Sequence, residues 1–600
     1  MSDVLQEARE RFRICQEAEK DNRDQALIDL KFKTGDQWPE DVITERTKQG
    51  RPMLTVNRLP QFVRQVVNEQ RQTRPGIHVR PVDDKGDRDT ADVFEGLIRH
   101  IENQSQAETV FDCALEQAAS SGFGYFRIIT EYADDSGFDQ EIFIKRIKNP
   151  FTVYVDPNCE EWDCSDARYA FVTEMIPRDE FKRRYPKAST EGFTSEGVGT
   201  AYEGWWDAEN VRVAEYWRRV PKKRYLCLMS DGTTLETARK KEESENIIDQ
   251  HVRKVYAETG QLVEKVRERV ADSWVIEQKV ITATETLEDN EWAGRFIPII
   301  RVVGDETNVD GKDVRSGIIR NARDSQRMYN YFRSTAAEYI GLAPKAPWVL
   351  SKDQLTGYEG FWKRANETLP YLLYNHQQGA PKPERVGMPT QVSGVMQEAL
   401  MAADDMKGTI GMYDPSLGQK SNEVSGIAIA QREQQADTGT FHYVDNLNRA
   451  IAYAGRILVD LVPKIYDTER QIRILNPDMT QQFVQINREY MDENGKIKLY
   501  DLSVGRYDVY VEAGPSFATK RQEAVDFLLK LIDVYPAAAP ALADLVAQNV
   551  DLAGADEAVE RLKALAQSQG LLGPAQGAPG APGQLQQPNT PGVPPQGIMQ

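Results

Sequence analysis

Cysteine is scarce, with five residues in a chain of 600. They stand at Cys15, Cys113, Cys159, Cys164 and Cys227 with no CxxC pair. That spacing excludes a disulfide framework and a cysteine zinc site, and it marks them as small core residues of a reducing compartment. Histidine is equally thin, with five residues, none of them in an HExxH pattern. His442, alone on a helix, reads as a packing or hydrogen-bonding residue. There is no GxSxG and no Cys/His nucleophile arrangement. No apolar run approaches the roughly 20 residues of a membrane-spanning helix. The first ten residues lack the basic flank and apolar centre of a secretory signal. Positive charge is in deficit, with 74 Lys and Arg against 93 Asp and Glu and a net charge of −19. Tight, sequence-independent nucleic-acid binding depends on Lys and Arg displacing counterions from phosphates, so this balance argues against it. It leaves room for a protein that DNA merely passes, since a surface over which a polyanion slides must hold it weakly.

Two stretches imitate chemistry. Gly418-Gln-Lys-Ser421 looks like the end of a phosphate-binding loop, but Gln419 separates Gly from Lys and a helix, not a strand, precedes it. The acidic run Asp156-Pro-Asn-Cys-Glu-Glu-Trp-Asp-Cys-Ser-Asp166 lacks the glycine and terminal Glu of a calcium loop. It is expected to be a solvated turn, with Asp156-Pro157-Asn158 supplying the turn chemistry. No catalytic residue, metal site or cofactor is expected.

What is present is helical and strand periodicity in alternation. Ser421 to Val462 reads as one long helix with Val444, Leu447, Ile451, Ala454, Leu458 and Leu461 on its buried face. It is expected to bend at Thr438-Gly439-Thr440 and to stop at Pro463. Leu5, Ala8, Phe12 and Cys15 mark a first helix ending before Gly35-Asp-Gln-Trp-Pro39. Phe62, Val63, Val66 and Val67 mark a second, with Pro60 in its first turn. A third helical region carries Ala91, Phe94, Leu97, Ile98 and Ile101 and continues through Val110 to Ala119. Tyr125–Tyr132 and Glu141–Ile147 form a hairpin. Further strands are expected at Phe151–Val155, Arg168–Glu174, Val211–Val220, Arg224–Met229, Trp274–Leu287 and Ile297–Val303. Ala238–Glu268 reads as a charged surface helix between them.

Ser316–Tyr339 and Gln391–Ile410 are two more periodic helices. They flank an aromatic-rich module, Leu342–Pro389, holding Trp348, Tyr358, Phe361, Trp362, Tyr371 and Tyr374. Strands follow at Gln471–Leu475, Phe483–Arg488, Ile497–Leu502 and Tyr507–Glu512, with a hairpin turn at Asp492-Glu-Asn-Gly495. Helices follow at Thr519–Val534, Leu542–Val550 and Ala555–Gln567. Residues Gly573 to Gln600 hold six Gly, seven Pro and six Gln with no charge, a composition that cannot pack a core. The fold class is α+β, in several domains.

This ordered set resembles the portal, or head-to-tail connector, proteins of short-tailed, Salmonella-type bacteriophages. The resemblance is carried by Gly35-Asp-Gln-Trp38, Leu54-Thr-Val-Asn57, Asn68-Glu-Gln-Arg71 with Arg74-Pro75, Asn149-Pro150 to Asp156-Pro157 and Ser165-Asp-Ala167. Arg315-Ser-Gly-Ile-Ile-Arg-Asn-Ala-Arg-Asp-Ser-Gln-Arg-Met328, Ala343-Pro-Lys-Ala-Pro347 and Val424-Ser-Gly-Ile-Ala-Ile-Ala-Gln431 complete it. It covers roughly residues 1–514 without a catalytic motif.

The resemblance implies a ring, normally of twelve subunits, at one capsid vertex, with a channel through which double-stranded DNA is packaged and ejected. It implies an α+β portal fold: a mixed α/β wing (1–312 and 463–514), paired stem helices (313–341 and 390–411) and a small clip (342–389). A tunnel loop (412–424), a long kinked helix (425–462), a helical crown (515–572) and a disordered tail (573–600) complete it. By position, Ser416, Gln419, Lys420, Ser421 and Asn422 would face DNA. Trp348, Lys352, Tyr358, Trp362, Lys363 and Arg364 would meet the terminase large subunit and later the tail adaptor. Capsid and scaffolding proteins are the other implied partners, with assembly in the host bacterial cytoplasm and residence in the virion. Longer relatives extend the crown into a helical barrel, which the composition of 573–600 excludes beyond a very short one. The competing readings are a packaging enzyme, which lacks its phosphate loop here, and a generic capsid or tail scaffold protein without a DNA channel.

Overall fold

The computed structural model describes residues 3–188, 205, 209–412, 439–549 and 561–562. Short stretches at 73, 83–86, 135–136, 232, 238–240, 261, 343–347, 366–368, 386–391, 477–480, 489, 492–496, 499, 501, 503, 514–516 and 536–538 are excepted. The chain divides into two units, Met1–Gly514 and Pro515–Gln600. Among the described residues no helix is long and apolar enough to cross a membrane.

Helix α1 (Asp3–Thr34) buries Leu5, Ala8, Phe12 and Cys15, the face its spacing predicts. Phe12 sits among the rings of Tyr154, Phe171 and Trp205 at 4.8, 5.4 and 5.0 Å between centroids. Helix α2 (Glu40–Gln49) escapes a reading from periodicity because Arg46 is its one buried residue. Helix α3 (Leu59–Gln72) buries Phe62, Val63, Val66 and Val67 as expected, and strand β1 (Pro75–Pro81) follows. The third helical region is two helices, α4 (Arg88–Gln104) and α5 (Ala107–Ser121). They part at Gln106, whose φ of +50° cannot continue a right-handed helix.

The expected hairpin is present as β2 (Phe123–Tyr132) and β3 (Gln140–Arg146), paired from Phe126 with Arg146 to Tyr132 with Gln140. A short 3-10 turn (Pro150–Thr152) leads into β4 (Val153–Val155), then β5 (Tyr169–Pro177), α6 (Arg178–Arg184), β6 (Asn210–Met229) and β7 (Thr234–Thr237). Next come α7 (Lys241–Thr259), β8 (Lys265–Ile281), β9 (Thr286–Trp292) and β10 (Ile299–Val303).

Three expectations change here. The two strands expected on either side of Pro221 are one strand, β6. Pro221 pairs with Trp274 of β8, and on its other side β5 stops at Arg218 while β7 begins at Tyr225. A proline is tolerated there because no second ladder needs its N–H. The single run expected over Trp274–Leu287 is two strands, turned at Thr282, whose N–H reaches Glu285 O at 2.9 Å. The charged helix ends at Thr259, and Lys265 onward is already strand β8. The large sheet runs β4-β5-β6-β8-β9 with β7 beside β6, and β10 joins the hairpin in the order β10-β2-β3.

Strands β11 (Asp305–Val309) and β12 (Lys312–Ser316) pair and lead into α8 (Ile318–Leu342). The helix expected from Ser316 therefore begins at Ile318, and Lys312–Ser316 is strand. The entry is crowded: a Cβ on Gly317 would lie 2.5 Å from Ala119 O, so only glycine lets β12 pass the end of α5. After α8 come β13 (Trp348–Val349), α9 (Lys352–Leu355), α10 (Glu359–Lys363), β14 (Glu384–Arg385) and α11 (Val392–Ile410).

The described part of the long helix is α12 (Phe441–Ile465), with Thr440 at its N-cap. Residues 421–438, where its first half and part of the bend were expected, lie outside the described residues. All six residues of the expected stripe are buried. Pro463 does not stop the helix, which continues to Ile465. A proline there removes the hydrogen bond to the Val459 carbonyl and crowds that carbonyl with its ring, and the helix ends two residues later.

Strands β15 (Arg470–Leu475) and β16 (Gln481–Ile486) pair, as do β17 (Tyr490–Met491) and β18 (Ile497–Lys498). The turn at 492–495 lies outside the described residues. Strand β19 (Tyr507–Ala513) returns to pair with β1, Pro75 opposite Ala513. In the second unit, α13 (Phe517–Val534) packs on α14 (Ala539–Asn549). Residues 555–560 and 563–600 lie outside the described residues.

A ladder of hydrogen bonds to residues 51–58 helps to hold α8 to the body. Residues 51–58 run without helix or strand partners, so their N–H groups need side-chain acceptors. Leu54, Val56 and Arg58 donate to Ser334 Oγ, Asn330 Oδ1 and Gln326 Oε1 at 2.9, 3.0 and 3.1 Å. The Gln326 amide returns a bond to Val56 O at 2.9 Å. Replacing Gln326 with Leu strands the Arg58 N–H and Val56 carbonyl. It is expected to lower unfolding stability by about 1–3 kcal/mol, read as a shift in the urea midpoint of the full chain.

Candidate channel and docking site

Helices α8 and α11 pack together along a face of small side chains. Ala399, Ala402, Ala403 and Met406 are buried on α11, with Tyr329 and Ala336 on α8. Alanine at these positions lets two helices approach closely, and 25 residues of α8 extend about 37 Å at 1.5 Å each. The outward faces remain apolar in places: Met328 and Tyr331 on α8, and Met396, Leu400 and Met401 on α11, are exposed.

The aromatic module spans the connection between the two helices and has a small core of its own. Trp348 and Trp362 meet edge to face at 5.3 Å, and Trp362 Nε1 donates to Leu373 O at 2.8 Å. Arg385 lies 5.5 Å over the Trp348 ring. Buried Gln354 ties the loop together, accepting from Ser351 N at 3.0 Å and donating to Pro381 O at 2.9 Å. Of the six predicted contact residues, Trp348, Tyr358 and Trp362 are half-buried, whereas Lys352, Lys363 and Arg364 are exposed. Phe361, Tyr371 and Val349 stand out into solvent. Sequence reasoning placed Phe361 and Tyr371 in the module without singling them out, because aromatic residues in a row do not declare which ones the local fold turns outward.

The loop predicted to face DNA cannot be placed in the same way: Ser416, Gln419, Lys420, Ser421 and Asn422 lie outside the described residues. The described residues that flank 413–438 are placed. Met412 and Thr440 are both buried, and a Cβ on Gly439 would come within 2.6 Å of Gly411 O. The segment 413–438 therefore leaves and re-enters the fold at one point, through two glycines in backbone contact. Gly411 has φ +80°, the left-handed conformation that ends a helix.

From that junction α12 is bolted to the body at successive heights. His442 Nε2 and Tyr443 Oη both reach Asp305, each at 2.8 Å. Asn446 Nδ2 donates to Val303 O and Gly304 O at 3.2 and 3.0 Å. Arg456 pairs with Asp163, and Asp460 accepts from Arg295 N at 2.7 Å. His442 is thus a hydrogen-bonding residue, as read.

The acidic run 156–166 is a turn, solvated at Asn158, Glu160, Glu161 and Trp162, and the reading is corrected at two of its acids. Asn158 N does donate to Asp156 Oδ1 at 3.1 Å, the expected turn chemistry. Yet Asp156 and Asp163 are buried, Asp156 receiving Arg168 Nε at 3.0 Å and Asp163 receiving Arg456. Cationic partners distant in sequence compensate the burial. Among the described residues no group of three or more His, Cys, Asp or Glu is placed to hold a metal. All five cysteines are free. Cys15, Cys164 and Cys227 are buried, as the core reading predicts, while Cys113 and Cys159 are only partly covered.

The class these features describe is an assembly subunit with a helix pair, a connecting module and a long anchoring helix. The particular family follows from comparison. The chain matches the Phage P22-like portal protein family over residues 9–600, and it belongs to that family. It is also similar to the "Portal protein" of Acyrthosiphon pisum secondary endosymbiont phage 1, with 24% identity over 543 residues, 87% of this chain and 74% of the relative. The protein is therefore a phage portal protein, of a structural kind, a homo-oligomeric component of the virion capsid.

Two outcomes test this geometry. Gly439→Val drives a side chain into the Gly411 carbonyl and is expected to lower the thermal midpoint, whereas Gly408→Ala, in a helix with nothing within 4 Å, should raise it slightly. Burial opposes ionisation of Asp305, but hydrogen bonds from His442 and Tyr443 hold its carboxyl below the ordinary value. Its folded pKa is depressed, so its contribution is present above the unfolded value near 4 and lost as pH falls through the folded one. Asp305→Asn should therefore lower the urea midpoint at pH 7, by an amount that shrinks as the pH is taken progressively below about 4.

Proposed function

We propose that the chain forms a ring at a unique capsid vertex and that double-stranded DNA passes through its centre during packaging and ejection. Helices α8 and α11 are the stem, the module 342–389 is the clip, and 412–424 is the loop that lines the narrowest part. The clip docks first the terminase large subunit and later the tail adaptor, using exposed Lys352, Lys363, Arg364, Phe361 and Tyr371. Capsid and scaffolding proteins meet the remaining body, and no enzymatic step is required of the subunit itself.

The observation that carries this reading is the α8–α11 pair. Its inner face is closed by alanines, and its outer face leaves Met328, Tyr331, Met396, Leu400 and Met401 in water in a lone subunit. Apolar surface of that kind marks a contact with another chain. In a ring each subunit presents two different complementary faces, so both sides of the pair would be covered. The net charge of −19 suits a channel that must release its polyanion. The junction of Gly411 and Gly439 supports a loop that projects from the inner end of the stem, because both ends of 413–438 are held at one place.

Electron microscopy of the purified full chain over a range of concentrations and salts is the test. Rings with an open centre are expected, and counting their symmetry supplies the subunit number. Monomers or irregular aggregates that persist when scaffolding protein is added would sink the ring. Lys420→Glu should reduce the DNA packaged per particle while rings still form. If the variant fails to form rings, the loop belongs to an interface and not to the channel.

A further inference from the structure

A cavity of about 550 Å³ opens between the last turns of α3 and α4, the start of β1 and the first turns of α5. Its apolar wall includes Ile77, Ala107 and Phe111, all buried. Three carboxylates line it, Glu102, Glu108 and Asp112, against two guanidinium groups, Arg74 and Arg99. Most of these charges are already engaged. Arg74 pairs with Glu108, and Asp112 accepts from Arg71 Nε at 2.7 Å. Arg99 is held by Glu95 and by Leu475 O, the latter at 2.8 Å.

Two acceptors are left over. Gln70 is 2% exposed, yet its Oε1 has no hydrogen-bond donor among the described residues. Burying an amide oxygen without a donor is unfavourable, and such groups are rare in folded proteins. Glu102 is the second. Burial pushes its carboxyl up to about 7, and the opposing charge is Arg99, which is committed elsewhere. A concave site with apolar walls and a few converging polar groups is the usual form of a small-ligand site. Polar side chains of His78, Asn103, Gln106 and Thr109 also line the cavity; Gln70 Oε1 and the Glu102 carboxyl are both acceptors, and the uncommitted charge is negative.

We propose that this cavity binds the ammonium head of an aliphatic amine, its N–H groups donating to Gln70 Oε1 and the Glu102 carboxylate and its methylene stem lying on Ile77, Ala107 and Phe111. The head group comes from a free amine or from a lysine side chain of a second copy of this chain. The chemistry is the same in both cases. An alkylammonium has three donors and a charge that persists at neutral pH. An anion would meet Glu102 at close range, and a neutral alcohol would leave the negative charge unmatched.

The test is isothermal titration of the full chain with n-butylamine at pH 8, with n-butanol and butyrate as controls. Saturable binding of the amine alone is expected. Gln70→Leu and Glu102→Gln should each weaken it by at least about tenfold, the loss of one charge-assisted hydrogen bond. Gln70→Glu should tighten it, an outcome that damage to the fold cannot produce. Binding to both rings and unassembled chains identifies a free amine as the ligand. Binding to unassembled chains and not to rings identifies a neighbour's lysine. Absence of saturable binding in either form, equal binding of butanol, or unchanged affinity in Gln70→Leu and Glu102→Gln would overturn the assignment.

Discussion

An extended segment without a sheet to join must still satisfy its backbone, and the placement of α8 depends on how this chain does so. Alternate N–H groups of a strand recur about every 6.7 Å, and side chains four apart on a helix recur about every 6.0 Å. Gln326, Asn330 and Ser334 use that near match to act as a surrogate strand for Leu54, Val56 and Arg58. The network extends inward. Asn330 donates to Gln37 Oε1 at 2.5 Å, and Gln37 reaches Phe32 O at 2.9 Å and Asn57 Oδ1 at 3.0 Å. Arg320 and Arg323 add a second clamp on Asp29 of α1, fully buried between them. A helix fixed by directional bonds has one register and one azimuth, whereas an apolar contact alone tolerates sliding.

The long helix obeys a related rule. Its apolar stripe supplies most of the burial, but polar contacts at His442, Asn446, Arg456 and Asp460 set its height and rotation. The acids that receive them are costly when unpaired, which ties the loop 156–166 to α12. The positions of α8 and α12 are thus each set by polar contacts. The glycine contact at 411 and 439 brings the end of α11 against the start of α12.

The aromatic module shows why exposed contact residues are harder to read. Local composition marks Leu342–Pro389 as aromatic and basic, yet it takes the folded module to turn Trp348 and Trp362 onto each other and leave Phe361 and Tyr371 outside. The same holds for Gln70 and Glu102, ordinary polar residues on helices until their neighbours are seen to be paired elsewhere. An uncommitted acceptor is a property of the surroundings, not of the residue.

By itself the sequence determined what is local. The apolar stripes of α1, α3, α4, α11 and α12 and the β2–β3 hairpin follow from repeats of two or 3.6 residues and from turn chemistry within a few positions. The ordered set of such elements was enough to point to the portal family. Tertiary structure decided what depends on partners far along the chain: the pairing of β1 with β19, the place of β10 beside β2, the continuity of β6 through Pro221 and the burial of Asp156 and Asp163. Hydrogen bonds and ion pairs of that kind leave no periodic trace, because each is satisfied by a single residue whose position in the sequence is arbitrary and whose position in space is not.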